Sequence, residues 1–203
     1  VEGAEQQVWV KQLPDGPLTK LTFEGNRSVR PVWSPDGNYV GYLGNEGSGQ
    51  QLYRMRADGS SQPELVVAYL GRQINEAFWS RDGRWIVFRT VPNDIFAQRT
   101  AGDTSTIPIL QSAFDEFTPA LSPDGRWLAY MSNESGTFEV FVRPFPAAQS
   151  AKWQVSTASG SNPFWSPDGR ELLYWTLAAQ LISVPVLPGT TFVVGADTIV
   201  RIA

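Results

Sequence analysis

One seven-residue phrase occurs four times in the chain: Pro31-Val32-Trp33-Ser34-Pro35-Asp36-Gly37, Ala77-Phe78-Trp79-Ser80-Arg81-Asp82-Gly83, Pro119-Ala120-Leu121-Ser122-Pro123-Asp124-Gly125 and Pro163-Phe164-Trp165-Ser166-Pro167-Asp168-Gly169. Its serines stand 46, 42 and 44 residues apart. A near-constant period of this size marks a supersecondary unit that is stacked several times, because a unit so small cannot bury its apolar face alone.

Each copy is followed by a short apolar run: 39–43, 85–88, 127–131 and 171–175. Length and aromatic and β-branched content predict strands there. The intervening turn has a mechanism. Proline presets φ, aspartate accepts from a nearby backbone N–H, and glycine takes the positive-φ position, as expected of Gly37, Gly83, Gly125 and Gly169. Trp33, Trp79, Leu121 or Trp165 before the turn and the run after it therefore form antiparallel hairpins.

A third strand is expected at 51–55, 94–98, 138–142 and 181–186, and a weaker fourth at 64–67, 106–110, 152–155 and 198–202. No helical periodicity of useful length competes with these. The expected fold is all-β, a β-propeller of four-stranded antiparallel blades. At the N-terminus Val8–Leu13, a Pro14-Asp15-Gly16-Pro17 turn and Leu18–Phe23 supply only a third and a fourth strand. The 203 residues thus form one domain, 1–203, of about four and a half blades: a half blade at 5–24 and blades at about 29–68, 75–111, 117–157 and 161–203. Because a propeller closes only as a full ring, this count predicts a fragment of a larger propeller or a ring finished by a partner or a second copy. The edge of 8–13 is a pairing liability, since unpaired strand edges template new strands.

The unit resembles the TolB-type, WD-repeat-like propeller repeat of bacteria over nearly the whole chain. The stretch from Phe114-Asp115-Glu116-Phe117-Thr118 through Ser122-Pro123-Asp124-Gly125-Arg126-Trp127-Leu128-Ala129-Tyr130, with Phe138–Pro146 and Lys152–Ser156, is similar to the C-terminal propeller of bacterial eukaryote-like serine/threonine kinases. That resemblance implies a six-bladed ring preceded by a kinase and a membrane segment. It also implies a bacterial extracytoplasmic location, in the periplasm or at the cell surface, with the cytoplasm as the alternative. The chain itself contains no Gly-rich phosphate loop, no His-Arg-Asp loop and no Asp-Phe-Gly.

Composition narrows the chemistry. The chain has no Cys and no His, which removes Ser-His-Asp and Cys-His nucleophile pairs, disulfides and the usual zinc ligands. It carries 16 Lys plus Arg against 20 Asp plus Glu without any basic run, so no nucleic-acid partner is expected. No apolar stretch reaches the roughly 20 residues of a membrane-spanning helix, so no direct membrane insertion is expected. No cofactor is expected either.

The repeated Trp33, Trp79 and Trp165 invite a stacking role, but a position recurring in every blade is first explained by packing between blades. Asp36, Asp82, Asp124 and Asp168 lack the dense ligand spacing of a calcium loop, so no metal site is expected. Phe145, in Arg143-Pro144-Phe145-Pro146, reads as an exposed loop aromatic that closes a contact between blades. The sequons at Asn26 and Asn133 read as loop asparagines.

Function is expected where the repeat is broken. The residues just before each innermost strand differ from copy to copy. A polar rim at the channel mouth is expected from Arg30, Asn75, Glu76, Asp115, Glu116, Thr118 and Asn162; the bland alternative is an ordinary solvated loop. The expected role is a non-catalytic ligand- or protein-binding scaffold, the sensor or interaction part of a larger bacterial signalling protein, taking a protein, a peptide or a small ligand. Two alternatives stay open. One is a carboxylate-dependent glycosidase or lactonase that pairs Glu76 with Glu116; the other is self-assembly into a homo-oligomer through open blade edges. The propeller that gates prolyl oligopeptidases is a further likeness, but the chain has neither a Gly-x-Ser-x-Gly elbow nor a His.

Overall fold

The computed structural model describes residues 6–23, 27–45, 49–68, 71–187, 189 and 191–200, and every regular element among them is a strand. A ribbon of β1 (Trp9–Lys11) and β2 (Leu18–Lys20) comes first. Next come β3 (Ser28–Trp33), β4 (Tyr39–Asn45), β5 (Gln50–Arg56) and β6 (Glu64–Val67), hydrogen-bonded in chain order as one antiparallel sheet. The same up-and-down order recurs in β7 (Gln73–Trp79), β8 (Trp85–Val91), β9 (Ile95–Arg99) and β10 (Ile107–Leu110). It recurs again in β11 (Glu116–Leu121), β12 (Trp127–Ser132), β13 (Glu139–Pro144) and β14 (Trp153–Gln154). The last sheet holds β15 (Ser161–Trp165), β16 (Glu171–Trp175) and β17 (Leu181–Leu187), with its outer position shared by β18 (Val193–Val194) and β19 (Thr198–Ile199).

The expected strands are therefore present, with differences at their ends. The N-terminal pair is shorter than 8–13 and 18–23; beyond it the Leu21 N–H still donates to the Val8 carbonyl at 2.9 Å, but the Val8 N–H donates to the Thr22 hydroxyl at 2.8 Å in place of a backbone carbonyl. β18 was not expected, and β17 pairs with it at Val186 and Leu187 and with β19 at Ile182 and Ser183. Residues 201–202 of the expected final strand, residues 5 and 24 of the half blade, and Asn26 lie outside the described residues.

The repeated turn closes each of the four hairpins in the same way. In the first, the Ser34 N–H donates to the Tyr39 carbonyl at 2.9 Å and the Gly37 N–H returns to the Ser34 carbonyl at 2.9 Å. Gly37, Gly83, Gly125 and Gly169 all have φ of 71–73°, a region open to glycine and costly for other residues. The aspartate accepts from the N–H two residues on, at 3.0–3.1 Å in each copy. The serine, given no role by the sequence, completes the clasp. Its hydroxyl donates to the aspartate at 2.6–2.7 Å and accepts the first N–H of the next strand at 2.9–3.0 Å.

The chain divides into two compact units, Val1–Trp79 and Ser80–Ala203. In the first, Val8, Leu21, Val40, Tyr42, Tyr53 and Met55 form one buried cluster, so the N-terminal ribbon is anchored on the β3–β6 sheet. In the second, Trp127, Ala129, Val140, Leu172, Tyr174, Ile182 and Phe192 form another. Second strands are buried on both faces, as in Ile86, Val87 and Phe88, each at most 1% exposed. Burial of one such side chain stabilises by about 1.5–3 kcal/mol.

The repeat tryptophans link sheets, with one exception. The Trp79 ring lies over Gly41, where a Cβ would sit 2.4 Å from it. Trp165 donates from Nε1 to the Ala120 carbonyl at 3.0 Å. Trp33 departs from the packing expectation and is 52% exposed. Phe145, expected to be exposed, is buried instead, because its ring meets Trp85 edge-on at 5.3 Å and so joins the β11–β14 sheet to its neighbour.

Candidate functional site

Of the expected rim residues only Asp115 lies before its innermost strand; the others lie inside the strands, and Arg30, Thr118 and Asn162 sit at a bulge. Along β3 the register runs Val29 opposite Leu43 and then Val32 opposite Gly41, which places one extra residue in β3. β11 repeats this between Phe117 and Ala120, and β15 between Ser161 and Phe164. The extra residue arises at Arg30-Pro31, Thr118-Pro119 and Asn162-Pro163, where proline cannot donate a ladder bond and a bulge accommodates it. Arg30, Thr118 and Asn162 adopt φ of 52, 47 and 49°, left-handed values that cost a β-branched residue such as threonine most. In β7 the equivalent pair is Glu76-Ala77, and Glu76 is not among the positive-φ residues.

In the first unit, Arg30 reaches Glu76 with an N–O distance of 3.7 Å; the arginine side chain is half exposed and the glutamate largely covered. Asn75, beside Glu76, is half-buried. An exposed pair of this kind contributes little stability, about 0–1 kcal/mol. It leaves a guanidinium facing solvent.

In the second unit the polar residues are more enclosed. Asp115 accepts from Asn93 Nδ2 at 2.6 Å and from Asn133 Nδ2 at 3.3 Å, while its N–H donates to Asn133 Oδ1 at 3.0 Å. Arg89 donates to Asn93 Oδ1 at 2.6 Å, and its guanidinium lies 5.0 Å from the Phe117 ring centroid. Glu116 is 4% exposed; its Oε1 accepts from the Ser112 hydroxyl at 2.6 Å, and its Oε2 is buried without a hydrogen-bond partner among the described residues. Thr118 Oγ1 is likewise buried without one. Burial pushes the Glu116 carboxyl up to about 7; the charges of Asp94 and Glu134 add to this, while the Ser112 hydroxyl and Arg143 oppose it. Asn162 is exposed.

Asp115, Glu116 and Thr118 are thus brought together on one strand start, and Arg30, Asn75 and Glu76 share the other unit. The sequence reading missed Asn93 and Asn133, which come from the turns after β8 and β12, and Ser112, in the loop that leads into β11. A signal was available: Asn93 and Asn133 both follow second strands, in the turns that face the strand starts. Among the described residues no group of three or more Asp or Glu is placed to hold a metal ion. The repeat aspartates are engaged in their own turns. The Ser34 hydroxyl and then the Asn38 N–H and side chain hold Asp36 down to about 2, and Asp82 is held to about 2 against burial by Ser80 and Arg84.

No protein-family model matches the chain. Among curated proteins it is 29% identical over 161 residues to the uncharacterized protein Atu1656 of Agrobacterium fabrum, a match covering 70% of this chain and 52% of that one. It is 24% identical over 169 residues to the uncharacterized peptidase YuxL of Bacillus subtilis, covering 64% of this chain and 25% of that one. The chain spans about half the length of the first relative and a quarter of the second. Among solved structures, a putative TolB from Agrobacterium tumefaciens matches with a TM-score of 0.69 at 18% identity, over 92% of this chain and 72% of that one. TolB from Acinetobacter baumannii also gives 0.69, at 16% identity over 90% and 45%. The fold is a β-propeller. A puromycin-hydrolyzing peptidase of Mycobacterium tuberculosis shares it at a TM-score of 0.67 and 14% identity, over 91% of this chain and 30% of that one.

Proposed function

We propose that the chain is a TolB-like propeller scaffold that binds a protein, a peptide or a small ligand at its bulged strand starts and performs no chemistry on it. The observation that carries this reading is the repeated bulge. The same backbone device recurs at Arg30, Thr118 and Asn162, yet the side chains differ and only Arg30 and Asn162 are exposed, so a fixed scaffold offers a varied surface. Left-handed non-glycine residues cost about 1–3 kcal/mol each and persist where the backbone shape is needed. In its finer form, resting on the resemblance of the Phe114–Ser156 region, the scaffold is the extracytoplasmic sensor part of a larger bacterial signalling protein of the receptor-kinase kind.

The test is a peptide array probed with the 203-residue chain and with an Arg30→Ala, Asp115→Ala, Asn162→Ala triple variant. Spots bound by the parent should fade at least tenfold in the variant, with a melting temperature within a few degrees of the parent's. Equal binding by both moves the site away from the bulges.

One observation favours a second reading, in which the propeller serves a hydrolase. Glu116 is a carboxyl whose raised pKa of about 7 leaves about half of it protonated near pH 7, a state suited to general acid catalysis, and two of the similar proteins carry peptidase names. Here Glu116 would donate the proton. Nitrophenyl glycosides, lactones and short peptide substrates should be turned over by the parent and not by a Glu116→Gln variant; no turnover by the parent removes this reading for this chain.

A further inference from the structure

The antiparallel register places Glu116, Ser132 and Glu139 in one row across the β11–β14 sheet, at the end where the bulge lies. Beside that row, within the second unit, is a pocket of ≈ 470 Å³ between the turn that opens β13, the loop that leads to β15 and the turn between β16 and β17. This lies within the roughly 300–1,000 Å³ of sites that enclose drug-sized ligands, or two to three residues of a peptide.

The chemistry of the lining defines what can enter. Phe138, Ala158 and Leu177 supply apolar surface, Thr137 and Ser159 supply hydroxyls, and no lysine or arginine contributes. The one carboxylate, Glu139, is 2% exposed and already engaged: it accepts from the Ser156 hydroxyl, from the Ser159 N–H at 3.0 Å and from the Thr137 hydroxyl at 3.3 Å. It therefore has no need of a cation from an occupant. The walls are also locked together. Ser159 is 9% exposed with φ of 99°, its Oγ accepts the Leu177 N–H at 3.0 Å, and the Gly160 N–H donates to the Phe138 carbonyl at 3.0 Å. A loop held in a strained left-handed conformation by a buried carboxylate is formed before anything binds, which lowers the ordering cost of association.

The apolar surface does not stop at the pocket. Leu177 is 92% exposed at the tip of its turn, and Phe138, 39% exposed, lies against Phe117 with ring centroids 5.7 Å apart, one residue from the bulge at Thr118. A molecule confined to the cavity would meet only the inner side of Leu177 and leave the rest in water, whereas an extended chain covers it.

We infer that this pocket receives an uncharged, bulky apolar side chain from an extended segment of a partner polypeptide, whose backbone runs past Leu177 and Phe138 toward the start of β11. The inference rests on the binding-scaffold reading and adds the class of partner and the place of its anchor residue. Such an anchor, set in a preformed pocket at the centre of a contact, carries most of the binding energy in interfaces of this type.

The experiment is selection of random peptides displayed on phage against the 203-residue chain, followed by affinity measurement of the enriched peptides on the parent, on Leu177→Ser, on the pocket-filling Ala158→Trp and on Asn162→Ala. Both pocket substitutions are at exposed positions, and melting curves verify folding. The expected result is a set of peptides sharing one bulky apolar residue, bound at least tenfold more weakly by the two pocket variants. Enriched peptides without such a residue, or peptides weakened only by Asn162→Ala, overturn the pocket inference and leave the scaffold reading standing. Failure to enrich any peptide overturns both for polypeptide ligands. Binding of a small apolar probe such as anilinonaphthalene sulfonate at the pocket, with no peptide selected, assigns the pocket to a small molecule and also overturns the inference.

Discussion

The hydroxyl of each repeat serine and the carboxylate two residues later form a closed clasp, in which every partner is supplied by six consecutive residues. Removing one carboxylate leaves a serine hydroxyl and a backbone N–H without their acceptor, at a net cost of about 1–2 kcal/mol. Asp124→Ala should therefore lower stability by that amount in urea unfolding, through the lost bonds to Ser122 at 2.6 Å and the Arg126 N–H at 3.1 Å. Glu116 acts in the opposite sense. Its carboxyl ionises near 4.5 in the unfolded chain and near 7 in the fold, so its contribution to stability is fully present below 4.5 and is lost as pH rises to about 7. The loss is on the order of 3 kcal/mol at most. Glu116→Gln should flatten the fall in melting temperature between pH 4.5 and 7; an unchanged slope would show that Glu116 is not the group responsible. Neither the serine's role nor the burial of Glu116 was legible in the sequence at the level of single residues. The first repeats without variation and so carries no contrast, and the second depends on Ser112 and on loops from the neighbouring sheet.

At the scale of elements, strands are set by runs that are apolar on both faces, and second and third strands were accordingly legible almost to the residue: Glu171–Trp175 was expected and is β16. Outer strands were less so. β18 is two residues long and exposed on both sides, so Val193-Val194 shows no alternation to read. The bulges were signalled by Pro31, Pro119 and Pro163, which cannot sit in an unbroken central ladder, but their left-handed partners became visible only in the register. Close approach between strands is also an element property. Gly41 lies under the Trp79 ring with room for a hydrogen alone, so Gly41→Val should overpack the contact and cost about 1–3 kcal/mol. A thermal melt that matches the parent would show that the indole swings away freely.

For the whole molecule, the expected four and a half blades correspond to four sheets of four or more strands and one ribbon among the described residues. Trp33, in the place where Trp79 and Trp165 are covered, stays 52% exposed, and Val193, Val194 and Ile199 are 36–55% exposed at the last sheet. Apolar surface of this kind favours association. Light scattering should show the mass of the 203-residue chain rising with concentration, and Trp33→Ser should reduce the rise. A constant monomer mass over the same range would refute self-association through these surfaces.

Period, turn chemistry and strand type were set by the sequence alone, because each depends on residues within about ten positions of one another and recurs four times. The same holds for the absence of Cys and His, which restricts the available chemistry whatever the fold. The tertiary structure decided the rest. That Glu116 is buried and Arg30 exposed, that Trp33 lacks the cover given to Trp79, and that Phe138 and Leu177 flank a pocket lined by no lysine or arginine all depend on which segments, distant in the chain, lie against each position. Burial and hydrogen-bond partnership are properties of that neighbourhood, and a repeat that is nearly identical in sequence acquires different chemistry as its neighbours change.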